Sequence, residues 1–214
     1  MGKEESVEIK EIVDEALKVF EKKILLELNS ITDETKRYLY FIAWINRFIE
    51  DRGLGKIIIT GGFAVELYTA RIYRTMDVDI IIDGCKEVVE EFLKRFSEKI
   101  GRGYIPTYEI ISLKSIDIVS TVYSRAKPPT KILVNELYVY IDPVEDLIAT
   151  YLAGWKYWNS TEDRDKALWL LAVWEEKIDW DYLNSICRDQ NVLDKLIELL
   201  EILRKNPLKN NLSM

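Results

Sequence analysis

The sequence predicts an α/β (α+β) fold: a mixed sheet flanked by helices, with added N-terminal helices and a C-terminal helical bundle. Three observations carry this prediction. Two short β-branched runs, Lys56–Thr60 and Met76–Ile82, are separated by a helical segment. Further strand-like runs follow between Tyr108 and Ile141. From Pro143 onward the apolar spacing is helical to the end. The expected organisation is a helical segment over 1–55, a core over 56–142, a helical region over 143–206 and a flexible tail over 207–214.

The elements follow in order. Between Val7 and Leu28 the residues Ile9, Ile12, Val13, Ala16, Leu17, Phe20 and Ile24 recur at helical spacing, with Lys and Glu filling the other face. Thr32 is the expected N-cap of a second helix that buries Leu39, Ile42, Ile45, Phe48 and Ile49 and stops before Gly53. The strand Lys56–Thr60 is broken by Gly61 and Gly62, and Phe63–Ala70 reads as a helix. After the strand Met76–Ile82, Val88, Val89, Phe92, Leu93 and Phe96 form one face of a helix closed by Gly101 and Gly103. Tyr108–Leu113, Ser115–Tyr123 and Ile132–Ile141 are the expected later strands, with a Pro-containing loop from Arg125 to Lys131. Pro143 opens the C-terminal helices. Ser160 or Thr161 caps the next helix, whose inward residues are Leu168, Leu171 and Ala172. Asp179 or Asp181 starts the third, and Asn191 caps the last.

Composition narrows the chemistry. The chain has 214 residues, 48% of them hydrophobic and 31% charged, with a net charge of −7. That charge argues against non-specific nucleic-acid binding along a basic face. Histidine is absent, which removes His-based triads, His general bases and His-ligated metals. Cys85 and Cys187 lie far apart and outside any C-x-x-C spacing, so neither a zinc site nor a disulfide framework is indicated, and both read as small buried residues. No apolar run approaches the roughly 20 residues that span a bilayer, and the first residues lack a signal-peptide core. A cytoplasmic protein with no membrane association is therefore expected. A single glutamine, no histidine and abundant Lys, Glu and Ile set the expectation of a thermophilic source.

The candidate site starts from Asp77 and Asp79. In a strand, residues two apart point to one face, so their carboxylates project together. Neighbouring acids repel unless a cation neutralises them, and carboxylate oxygens suit Mg2+. Asp117 stands among apolar residues in a later strand. If that strand neighbours the first, three carboxylates converge as a two-metal phosphoryl-transfer site needs. A structural salt bridge is the competing reading for Asp117. Gly61 and Gly62 open a helix whose bare N–H groups suit phosphate oxygens, and the same pair also serves as a plain strand-to-helix turn. Lys127 and Lys131 read as surface lysines. Trp155, Tyr157, Trp158, Trp169 and Trp174 read as core, with base stacking as the alternative.

Gly61, Gly62, Asp77, Asp79 and Asp117 together resemble the DNA polymerase β-like nucleotidyltransferase superfamily. The stretches Gly61–Tyr68 and Arg74–Asp79 look like its small prokaryotic branch, which includes minimal nucleotidyltransferases and abortive-infection toxin-type proteins. Pro143–Ala149 and Glu162–Asp165 resemble that branch's C-terminal helices. The resemblance spans about Lys56 to Leu171 and implies a nucleotidyltransferase fold. It implies transfer of a nucleoside monophosphate from an NTP to a hydroxyl or phosphate on tRNA, a protein or a small molecule such as an aminoglycoside. By position, Asp77 and Asp79 would bind Mg2+ (or Mn2+), Asp117 would act as third ligand or activate the acceptor, and Gly61, Gly62, Arg74 and Thr75 would contact phosphates. Arg74 as an ion pair to the acids is the alternative. Two positions depart from the pattern: Gly62 replaces a frequent Ser, and Tyr151 stands where toxin-type members often have Lys. Two further readings remain beside the enzyme: a non-catalytic module that binds a nucleotide or partner, and the toxin component of a toxin–antitoxin pair. An antitoxin or a second copy of the chain are the corresponding protein partners.

Overall fold

The computed structural model describes residues 3–205, so the expected tail over 207–214 lies outside the described residues. The chain forms two compact units. The first takes the chain up to Phe63 and again Thr75–Ile141; the second takes Ala64–Arg74 and the chain from Asp142 on.

The first unit holds a seven-stranded mixed sheet in the order β3-β4-β5-β2-β1-β7-β6. Its strands are β1 (Gly55–Ile59), β2 (Asp77–Gly84), β3 (Ser97–Ile100), β4 (Gly103–Pro106), β5 (Ser115–Ser120), β6 (Thr130–Val134) and β7 (Leu137–Ile141). β2 runs antiparallel to β1 and parallel to β5, and β1 runs parallel to β7. Ile57, Ile58 and Ile59 of β1 are fully buried, as a central strand covered on both faces requires.

Helices of the same unit cover this sheet. The N-terminal run is α1 (Lys3–Val19), a π-helical turn (Phe20–Ile24) and α2 (Leu25–Ser30). The buried residues Ala16, Phe20, Ile24 and Leu28 recur every fourth position. In an α-helix that spacing drifts by about 40° per step, and one wider π turn takes up the drift. α3 (Glu34–Glu50) packs on β1 and β7, and α5 (Lys86–Phe96) packs on α1. An aromatic cluster joins them: Phe20 meets Phe96 edge-on at 4.8 Å between ring centres, and Phe41 stacks on Phe96 at 5.2 Å. The N-cap of α3 is Asp33 rather than the expected Thr32, because the Asp33 carboxylate accepts the Lys36 N–H at 2.9 Å.

Three expected elements differ. The helix expected to close at Gly101 and Gly103 ends at Phe96, and those glycines instead serve the β3–β4 hairpin. Tyr108–Leu113 is not a strand; its centre is a single 3-10 turn, Glu109–Ile111. Ile132–Ile141 is two strands, because Asn135 takes a left-handed backbone (φ 55°) and turns the chain in a two-residue hairpin.

In the second unit, α6 (Val144–Trp158) packs along α7 (Thr161–Trp174), with α8 (Trp180–Asp189) and α9 (Leu193–Lys205) following. A Cβ on Gly154 would stand 2.1 Å from Asp163 Oδ2, so only glycine permits the close approach of α6 and α7. Of the expected alternatives, Ser160 caps α7 and Asp179 caps α8. Asn191 does not cap α9; it takes a left-handed backbone (φ 54°) between α8 and α9. α7 buries Ala167, Leu170 and Leu171, one residue off the expected face, because its neighbours set its rotation. Tyr157 and Trp158 are exposed rather than core, lying in the last turn of α6. Cys187 is buried and Cys85 half-buried, both as free thiols. Among the described residues, no helix is long and apolar enough to cross a membrane.

Candidate active site

The acids sit on two adjacent parallel strands of the first unit. Register pairs Asp79 of β2 with Asp117 of β5, and Asp77 with Ser115. Residues in register on parallel strands share a face, so the pairing brings the three acids to one side of the sheet. The apolar neighbours Val78, Ile80 and Ile116 are buried and anchor both strands.

Ser115 ties two of the acids. Its hydroxyl lies 2.6 Å from Asp77 Oδ1 and 3.3 Å from Asp117 Oδ1. A hydroxyl has one proton, so it serves one carboxylate at a time, and the shorter distance favours Asp77. Burial, and then the charge of Asp77, push the Asp117 carboxyl above the usual carboxylate range, with the Ser115 hydrogen bond opposing.

Asp79 is set against the start of α4 (Gly61–Tyr68). A Cβ on Gly61 would stand 2.0 Å from Asp79 Oδ2, and Gly61 has a left-handed backbone (φ 59°). Both facts demand glycine there. Gly62 faces the Thr75 side chain, with a Cβ placed 3.0 Å from its hydroxyl oxygen. The Thr75 hydroxyl in turn accepts the Asp77 N–H at 3.3 Å. Gly61, Gly62, Thr75, Asp77, Asp79 and Asp117 thus belong to one neighbourhood, whereas Arg74 belongs to the second unit. Among the described residues, no group of three acids is drawn tightly enough to grip a single cation. The carboxylates are aligned by register but not clenched.

An open depression of about 380 Å3 adjoins Asp77 and Asp117. Its walls include Met76, Ile105, Leu113 and Ser115, with Arg102 at the β3–β4 turn. A Cβ on Gly103 would stand 2.3 Å from Asp117 Oδ1, so a second glycine makes room for a carboxylate. Sequence reasoning missed Ser115 and Gly103. Ser115 had a usable signal, since it lies two residues before Asp117 on the same strand face; Gly103 had none without its strand pairing.

In the second unit, the ring of Tyr151 is approached by Lys166 of α7, whose Nζ lies 5.1 Å from the ring centre. Lys166 also pairs with Glu162 at 2.9 Å. A lysine from α7 therefore meets the α6 position where the resemblance led to expect one, a pairing that spacing along α6 alone does not show.

Compared with known proteins, the sequence matches no family model and no curated relative. Among solved structures, the chain is similar to an antigenic nucleotidyltransferase-like protein from Paracoccidioides brasiliensis. The two share 12% identity over 82% of this chain and 90% of that one, with a TM-score of 0.50. The fold is nucleotidyltransferase-like. Two structures of ANT(2'')-Ia are also similar at 13% identity. One, in complex with adenylyl-2''-tobramycin, covers 72% of this chain and 95% of its own with a TM-score of 0.47. The other, a solution structure of this antibiotic-resistance factor, covers 81% and 99% with a TM-score of 0.46.

Proposed function

We propose that this chain is a Mg2+-dependent nucleotidyltransferase that moves a nucleoside monophosphate from an NTP to an acceptor hydroxyl or phosphate. One observation carries the reading: Asp77, Asp79 and Asp117 are aligned by register on parallel strands, beside the glycine start of α4. The residues fit a hard divalent ion. The carboxylates and the Ser115 hydroxyl offer oxygen ligands, and the charge of Asp77 helps to raise the Asp117 carboxyl. Asp77 and Asp79 would hold Mg2+, with Asp117 as third ligand; Mn2+ suits the same oxygens. Bound there, the ion supplies positive charge for the α-phosphate and the leaving pyrophosphate.

The chain's own groups do the rest. The first backbone N–H groups of α4, bare at Gly61 and Gly62, point without side chains in the way and receive phosphate oxygens. Thr75 adds a hydroxyl for the phosphates. Asp117, the third acid, takes the proton from the acceptor hydroxyl. The acceptor oxygen bonds to the α-phosphorus, the bond from that phosphorus to the bridging oxygen breaks, and pyrophosphate leaves with the electron pair.

The test incubates the protein with each α-labelled NTP, Mg2+ and a cell extract, and asks which molecule gains label. Asp77→Asn and Asp79→Asn should each abolish labelling and weaken Mg2+ binding. Full labelling by either variant sinks the reading. Tight NTP binding without pyrophosphate release would point to a binding module instead.

A further inference from the structure

We propose that Lys114 is a positioning residue that holds the acid strand and the glycine turn in register; the proposal rests on the nucleotidyl-transfer reading of the site. Lys114 is a lysine inside the core, with its side chain 1% exposed. Its ammonium donates to the backbone carbonyl of Thr75, pairs with Glu34 at 3.5 Å and lies 5.7 Å from the ring centre of Phe63. Its backbone N–H donates to the Tyr38 hydroxyl at 2.7 Å, and that hydroxyl donates to the Ile111 carbonyl. One residue therefore joins the first turns of α3, the start of α4, the connector before β2 and the entry to β5.

Each of those attachment points leads directly to the site. Phe63 follows Gly61 and Gly62. Thr75 packs on Gly62 and accepts the N–H of Asp77. The residue after Lys114 is Ser115, whose N–H donates to the Met76 carbonyl at 2.9 Å and whose hydroxyl meets Asp77 and Asp117. The distance between the phosphate-facing glycines and the carboxylates is thus set through Thr75, and Lys114 grips Thr75 from behind.

A methionine would fill the same space without an ammonium to desolvate, but it would take this donor away from the Thr75 carbonyl and the Glu34 carboxylate. What the ammonium adds is direction. Its N–H donors fix a carbonyl and a carboxylate on separate elements at once. Partners behind metal ligands act in this way, and their loss weakens metal binding by about 10- to 100-fold.

The test compares the native chain with Lys114→Met. Three readouts are taken: Mn2+ affinity by electron paramagnetic resonance, amide hydrogen exchange across residues 75–79, and the split between kcat and KM for the labelled NTP. Lys114→Met should fold with a lowered melting transition and keep the slow exchange of Ile57–Ile59, yet bind Mn2+ about 10-fold more weakly. Exchange at 75–79 should rise and kcat should fall, with KM changed by less than about twofold, because the phosphate-binding groups remain. A folded Lys114→Met that matches the native chain in Mn2+ affinity and in exchange at 75–79 overturns the proposal. Should Lys114→Met fail to fold, Glu34→Gln removes the partner's charge and should shift both readouts the same way; an unchanged Glu34→Gln then overturns it. If the native chain binds no Mn2+ at all, the nucleotidyl-transfer reading fails, while the exchange at 75–79 still decides whether Lys114 holds this segment.

Discussion

The acids of the sheet are exposed or half-buried and those of the helical unit are buried, and the two sets follow opposite rules. In the helical unit, Glu145 accepts the Asp179 N–H at 2.9 Å, and Asp146 accepts the Tyr182 hydroxyl at 3.0 Å and 3.1 Å. Each is nearly fully buried, and each meets a donor that belongs to the scaffold. In the sheet, Asp77 and Asp117 compete for the one proton of Ser115, and burial and the charge of Asp77 raise the Asp117 carboxyl. Acids that hold a fold together meet donors. Acids placed for chemistry meet like charges and keep an opening to solvent.

The largest effects should come from the sheet. Asp77→Asn should lower nucleotide transfer by at least about 100-fold in a labelling assay, with no loss of melting temperature. A melting temperature that fell sharply instead would place Asp77 with the structural acids. In the helical unit, Glu145→Ala should cost about 1 kcal/mol in urea unfolding, since it removes the acceptor of a part-buried N–H at the start of α8. Unchanged stability there would erase the distinction between the two groups.

Smaller effects sharpen the local readings. Asp33→Ala should cost about 1 kcal/mol of stability through the lost cap of α3, whereas Thr32→Ala should cost almost nothing. Smallest is the effect of charge at Asp117. Its carboxyl is raised in the folded chain, so the folded state holds that proton more tightly than the unfolded state does. The resulting destabilisation is present above the raised value and disappears as pH falls through it. Asp117→Asn should therefore melt about 1–2 °C above the native chain near neutral pH, and the gap should close in acid. Added Mn2+ should narrow the gap at neutral pH from the native side. A gap that widens on acidification contradicts the assigned sign.

Local patterns were legible where one residue's chemistry decides alone. Ser160 and Asp179 read as helix caps because their side chains bond a nearby N–H whatever lies around them. The β1 and β2 strands read clearly because an unbroken β-branched run tolerates little else. The β3–β4 hairpin was hidden, because Ser97–Ile100 is a mostly exposed edge strand with no apolar pattern to announce it. The turn at Asn135 was hidden by its apolar flanks, which read as one strand until the chain pairs with itself.

For the candidate site, the sequence by itself determined the residue types: paired carboxylates in a strand, a third in another, a glycine pair before a helix, and no histidine. It determined that Asp77 and Asp79 share a face, because that follows from backbone period alone. Only the tertiary structure decided that β5 lies beside β2 with Asp117 opposite Asp79, that Ser115 sits between two of the acids, and that Lys114 reaches Thr75 from within the core. The reason is physical. Alternation is a property of neighbouring residues in one strand, whereas strand order and register come from burying Ile59, Ile80 and Ile116 on one face of the sheet, a condition that no single segment contains.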